Sequence, residues 1–251
     1  MLAFFRKIRK SLLIQGKTSK YLSYAIGEIV LVMIGILLAL QVNNWNELKK
    51  IKVFEIKMLK EIKNAIVTDI DYITNHSLGY RTKTVENSVV FFKKLLRNEK
   101  APMDSLRYYF NWTTYGLSFQ INEGPYQGLK SVGMDKISND SLRNSLQYLY
   151  DFTIPRTEEL VEWSENRIEK NQSPLKKQFL KAHQYKLTDA DVKIYSSLVD
   201  GDFWKHPSFL ELLYRVNSRA SWNRTAFTTL VKKLTVVKNS IDKELHSLEN
   251  N

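Results

Sequence analysis

Glu28 is the only charged residue in an apolar stretch that runs from Tyr21 to Val42. A charge near the middle of a bilayer costs about 2.5–3.5 kcal/mol on insertion scales, so such an acid turns toward protein or water. It can then take up and release protons, or sit in a helix–helix contact. Ser23, Gly27, Gly35 and Ala39 fall on an every-fourth-residue row, with Leu31 filling the gap. At about 100° per residue, Glu28 projects between Gly35 and Ala39. Small residues let helices approach closely, so Ser23, Gly27, Glu28, Gly35 and Ala39 form the expected intramembrane association site.

Elsewhere the residues that carry chemistry are scattered. His76, His183, His206 and His246 show no His-x-x-x-His spacing. No serine lies in a Gly-x-Ser-x-Gly elbow, and no Gly-rich phosphate loop occurs. Asp189/Asp191 and Asp200/Asp202 do not extend into a twelve-residue calcium loop. The first pair reads as a helix start at Thr188–Asp191, and the second as a turn around Gly201. The absence of cysteine removes disulfides, thiolate metal sites and thiol nucleophiles. We therefore expect no catalytic, cofactor-binding or metal-ligating residues, and a protein that is not an enzyme.

Residues 108–119 hold six aromatics in twelve positions: Tyr108, Tyr109, Phe110, Trp112, Tyr115 and Phe119. Exposed, such rings stack on a sugar or grip a peptide; buried, they are the largest part of a core, and burial is the stronger reading. With Tyr126 beyond the Asn122–Pro125 turn, Tyr108, Trp112 and Tyr115 are the residues of a ligand or partner surface, if one exists.

These groups must be positioned by helices. Tyr21–Val42 meets the roughly 20 residues needed to cross a hydrocarbon core. No small-x-small cleavage site follows it, so a retained anchor is expected rather than a cleaved signal. Residues 1–20 carry Arg6, Lys7, Arg9, Lys10, Lys17 and Lys20 and no acid. They supply half of the formal net charge of +12, which places the N-terminus in the cytoplasm. Residues 2–13 set Phe5, Ile8 and Leu12 against Arg6, Lys7 and Lys10, the pattern of a helix lying on anionic lipid headgroups. The expected division is 1–20 basic and cytoplasmic, 21–44 transmembrane, and 45–251 extramembrane. The last part is only moderately basic, which argues against a nucleic-acid partner.

Period-3.6 stretches dominate the extramembrane part. Ile51, Phe54, Met58, Ile62, Ile66, Ile70 and Ile73 trace one helix face, and a turn is expected near Ser77–Gly79. Val85, Val89, Phe92 and Leu96 mark another helix. Leu142, Leu146, Leu149 and Thr153 mark the next, then a helix starting at Pro155, and a restart at Ser173-Pro174. The C-terminal seam Phe227, Leu230, Leu234, Val237, Ile241, Leu245 and Leu248 suits packing on a second long helix. The predicted fold is all-α: one spanning helix continuing into a helical bundle, with an antiparallel stalk of N- and C-terminal helices.

Two stretches resemble a known family. One is Phe4-Phe5-Arg6-Lys7-Ile8-Arg9, Lys20-Tyr21-Leu22 and Tyr24-Ala25-Ile26-Gly27-Glu28-Ile29, with Gly35 to Glu47 completing it. The other is Tyr126, Leu129-Lys130-Ser131, Gly133, Ile137, Asn139 and Leu142-Arg143. Together they resemble a domain-of-unknown-function family of small membrane proteins common in Bacteroidetes bacteria. That resemblance implies a bacterial inner-membrane protein with the main domain periplasmic, and brings no known activity. The expected function is a membrane-anchored interaction or scaffold protein, acting as a homo-oligomer or with a membrane-protein partner. Two alternatives are a small subunit of a proton-driven membrane complex using Glu28, and a periplasmic ligand-sensing domain.

Overall fold

The computed structural model describes residues 18–250, apart from 98, 189, 190 and 200. The expected headgroup helix at 2–13 lies outside the described residues. The chain divides into two compact units, 1–55 and 56–251.

Helix α1 (Thr18–Asp71) supplies all the described residues of the first unit and the start of the second. Its most apolar 18-residue window has a mean hydropathy of 2.4 and no buried residue. Among the described residues it is the one helix long and apolar enough to cross a membrane. Side chains such as Leu31, Ile34, Leu37 and Leu40 are all exposed there.

In the second unit the α1 face anticipated from the sequence turns inward at Met58, Ile62 and Ile66, and Ile73 just beyond α1 continues it; all four are buried. Ion pairs join Lys60 to Glu249 at 2.7 Å and Lys63 to Asp242 at 2.6 Å. The expected turn near Ser77–Gly79 is absent. The chain instead stays helical through Tyr72–Thr82 in the wider π form. Buried Thr82 donates its hydroxyl to the Ser77 carbonyl five residues back, so the segment shifts phase without exposing backbone.

Short helices follow: α2 (Lys83–Leu95), α3 (Met103–Trp112), α4 (Gly124–Val132), α5 (Asp140–Tyr148), α6 (Ile154–Arg167) and α7 (Ser173–Lys177). π-Helical links at Leu149–Thr153 and Ile168–Gln172 join α5 to α6 and α6 to α7. Pro155 and Pro174 occupy first-turn positions, where the missing N–H is harmless. Helix α8 (Pro207–Asn250) runs 44 residues and buries Phe227, Leu230, Leu234, Val237, Ile241 and Leu245.

The protein is nearly all-α, with one departure among the described residues. Strand β1 (Leu180–Thr188) pairs antiparallel with β2 (Asp191–Leu198), from Thr188↔Asp191 to Leu180↔Leu198. This corrects the helix start expected at Thr188–Asp191. Val192 and Ile194 alternate with Lys193 and Tyr195, a short period of two rich in β-branched and aromatic residues. The turn residue Gly201 does lie in the left-handed region, with φ 77°.

One core gathers around Phe209. Its ring centroid lies 4.8 Å from Phe92, 5.0 Å from Phe203 and 5.2 Å from Phe179, all in edge-to-face arrangements. The segment from Tyr126 to Arg143 places several of its residues in structural tasks. Tyr126, Leu129 and Ile137 are fully buried. Gly133 ends α4 at φ 126°, where a side chain is strained. Asn139 caps α5 by accepting from the Leu142 amide at 3.0 Å, and donates to Glu244 of α8 at 2.5 Å. Losing a cap of this kind costs about 1 kcal/mol. Asn139→Ala is therefore expected to lower unfolding free energy by at least about 1 kcal/mol in urea titrations monitored by circular dichroism.

Candidate functional site

The loop after α3, Thr113–Leu117, is short and irregular, yet ionic side chains from four elements hold it. Arg219 reaches in from α8. It donates Nη1 to the Tyr115 carbonyl at 3.0 Å and Nη2 to the Thr113 carbonyl at 3.2 Å. Glu165 of α6 accepts the Leu117 amide at 2.8 Å. Arg81, from the first π segment, donates to the Gly116 carbonyl at 3.2 Å and, through Nε, to His76 Nε2 at 3.0 Å. Lys176 of α7 donates to the Asn111 carbonyl at 3.1 Å and to Thr114 Oγ1 at 2.7 Å.

Arg219 and Glu165 are themselves paired at 3.2 Å, with side chains 3% and 14% exposed. Asn223 donates to the second Glu165 oxygen at 2.7 Å, and the Ser164 hydroxyl donates to Asn223 at 2.6 Å. Burial pushes the Arg219 guanidinium below its usual range, opposed by the charge and hydrogen bond of Glu165. Gly116 passes so close that an added Cβ would lie 3.0 Å from Glu165 Oε2.

The clamped loop carries an aromatic patch. Trp112 lies against Tyr115 at 4.2 Å and meets Tyr80 edge-on at 5.5 Å. Tyr108 is 6.3 Å from Trp112, and the Arg81 guanidinium sits 5.2 Å from the Tyr115 ring centre. His76 bridges Tyr72 and Tyr80 along the π segment. Of the residues singled out from the sequence, Tyr108 and Tyr115 are exposed and Trp112 is buried beneath them.

Tyr126 is elsewhere, and its assignment to a surface is corrected. It is fully buried, stacked on Tyr150 at 4.4 Å, with its phenol donating to Asp151 at 2.8 Å. Burial, then the Asp151 hydrogen bond, pushes the Tyr126 phenol up. Burial also acts to raise Asp151, but hydrogen bonds from Lys130 and Tyr126 win and hold that carboxyl low.

In the first unit, Ser23, Gly27, Gly35 and Ala39 are exposed and Glu28 is half-buried. Nothing lies within 4 Å of where a Cβ would stand on Gly27 or Gly35. His76, His206 and His246 are dispersed: His76 joins the aromatic patch, His206 lies 5.7 Å from Phe179, and His246 lies beside Asn250.

The sequence reading missed Arg219, Glu165 and Asn223. A signal was present in α8. The buried stripe Leu212, Val216, Ala220, Phe227 and Leu230 carries Arg219 and Asn223 at in-phase positions, where a solvated charge does not belong.

The sequence profile of a family described as "Family of unknown function (DUF6090)" matches residues 28–203. No curated protein and no solved structure matches the chain.

Removing one partner of a buried ion pair leaves the other charge stranded, at about 3–5 kcal/mol. Arg219→Met is expected to lose that much stability in denaturant titrations. The double variant with Glu165→Gln should lose less than the sum of the singles. Burial also lowers the Lys176 ammonium to about 8. The unfolded chain titrates lysine near 10.4, so between about pH 8 and 10 it binds more protons than the folded one. This contribution to stability rises with pH across that window and is absent below it. The gap in unfolding free energy between the wild type and Lys176→Met should shift in favour of the wild type from about pH 8 to pH 9.5, read from urea midpoints.

Proposed function

The chain belongs to the DUF6090 family of unknown function, and within it we propose a non-enzymatic, membrane-anchored interaction or scaffold protein. The observation that carries this reading is the apolar part of α1, whose most hydrophobic window contains no buried residue. Water does not tolerate so long a bare apolar surface, whereas a bilayer requires it. The basic residues before the span put the N-terminus in the cytoplasm of a bacterium, with residues 45–251 in the periplasm and the span in the inner membrane.

Two surfaces serve association in this reading. Within the membrane, Ser23, Gly27, Glu28, Gly35 and Ala39 let a second helix approach, either another copy or a membrane-protein partner. Open space beside both glycines supports this. Outside it, the exposed rings of Tyr108 and Tyr115 form a contact patch held rigid from below by Arg219. The pairs Lys60–Glu249 and Lys63–Asp242 support an antiparallel stalk, since partner numbers fall along α8 as they rise along α1.

Gly35→Leu places a bulky side chain in the helix contact while keeping the span apolar. In mild detergent it is expected to reduce oligomer size or partner recovery on co-purification. Unchanged recovery together with unchanged size would overturn the intramembrane site.

A further inference from the structure

Behind the clamped loop, a cavity of about 190 Å³ opens between α6, the π segment Ile168–Gln172 and α8. Arg167, Arg215 and Arg219 line it together with Trp163, Trp222 and Tyr214, and no Asp or Glu does. Two of the arginines have acidic partners outside the cavity wall. Arg215 is paired with Glu211 at 2.6 Å, and Arg219 with Glu165. Arg167 has no acidic partner among the described residues, and its guanidinium lies 3.6 Å from the Trp163 ring centre. The cavity is therefore electropositive, with a planar, carboxylate-matching fork fixed on an indole at its edge.

A second observation narrows the ligand. Gln172 and Arg219 are 1% and 4% exposed, and both line the cavity. Asn171 and Ser218 line it too. The Asn171 amide and the Ser218 hydroxyl each donate and accept, so they ask for a group that both gives and takes a hydrogen bond. A hydroxyl does both. Trp163 and Trp222, 6.5 Å apart and crossed at 75°, add apolar faces for a ring to lie against. Gln172 also closes a π segment, and extra helical residues of this kind recur at functional sites.

We propose that this cavity binds a small hydroxylated ring bearing a carboxylate, the chemistry of a sugar acid, with Arg167 taking the carboxylate. A cavity of about 190 Å³ is of the size of a single small ring. The site is independent of how the anchor associates.

The probe is glucuronate, titrated into the full-length protein in detergent and followed by tryptophan fluorescence. Glucose lacks the carboxylate, benzoate lacks the hydroxyls, and sulfate lacks the ring. Saturable glucuronate binding is expected, tighter than any of the three. It should weaken about tenfold or more in Arg167→Gln and in Trp222→Leu. Both positions are at the surface, so unchanged thermal unfolding without ligand will show that the variants fold. No saturable signal up to about 10 mM overturns the proposal. So does equal binding by Arg167→Gln, or binding of benzoate, glucose or sulfate as tight as that of glucuronate.

Discussion

A buried guanidinium must find an anion and satisfy its remaining donors, or the fold carries a cost of several kcal/mol. Arg219 meets most of this demand with Glu165 and with two carbonyls of the Thr113–Leu117 loop, its Nε alone staying unpartnered among the described residues. The pair therefore does more than neutralise itself. It fixes the distance between α6 and α8, and it sets the path of a loop that has no regular hydrogen bonding of its own. Lys176 and Arg81 complete the task by taking carbonyls on either side. The outward rings of Tyr108 and Tyr115 stand on this base. The same Arg219 lines the arginine-rich cavity, so one ionic contact supports both surfaces.

The stretch from Tyr126 to Arg143, which carries part of the family resemblance, is built differently. Its residues pack, cap and turn: Leu129 and Ile137 inside, Gly133 at a positive φ, and Asn139 between the α5 N-terminus and α8. Arg143 donates to the Ile137 carbonyl and to Asp140, closing the turn on itself. This is scaffolding. The exposed chemistry of the second unit lies on other segments, at the α3 loop and along α6 and α8.

Helical elements were legible because burial repeats every three or four residues. The C-terminal seam from Phe227 to Leu245 is buried at each position the period marks, while Leu248 beyond it is only half-buried. The hairpin was not legible for a competing local reason: Thr188 and Asp189 resemble a helix cap, and the alternating run behind them is short. The Arg219–Glu165 pair spans 54 residues, and charges are ordinarily solvent-facing, so only its place within an apolar stripe betrays it. The aromatic segment split as its chemistry allows. Phe110 and Trp112 went to the core, while tyrosines with a polar end stayed at the boundary.

The three π segments among the described residues have no signature in composition, yet each resets which side of the chain faces inward. An α-helix turns about 100° per residue, so one extra residue in a turn rotates everything downstream by that angle. At Ile168–Gln172 this brings Gln172 inside between two stretches of ordinary helix. These segments therefore mark where reading-frame-preserving indels matter most. Deleting one residue there would restore a regular helix locally and present the wrong face of α7 to the core. A deletion in the exposed approach to α3 near Lys100 would change only the slack in a connection.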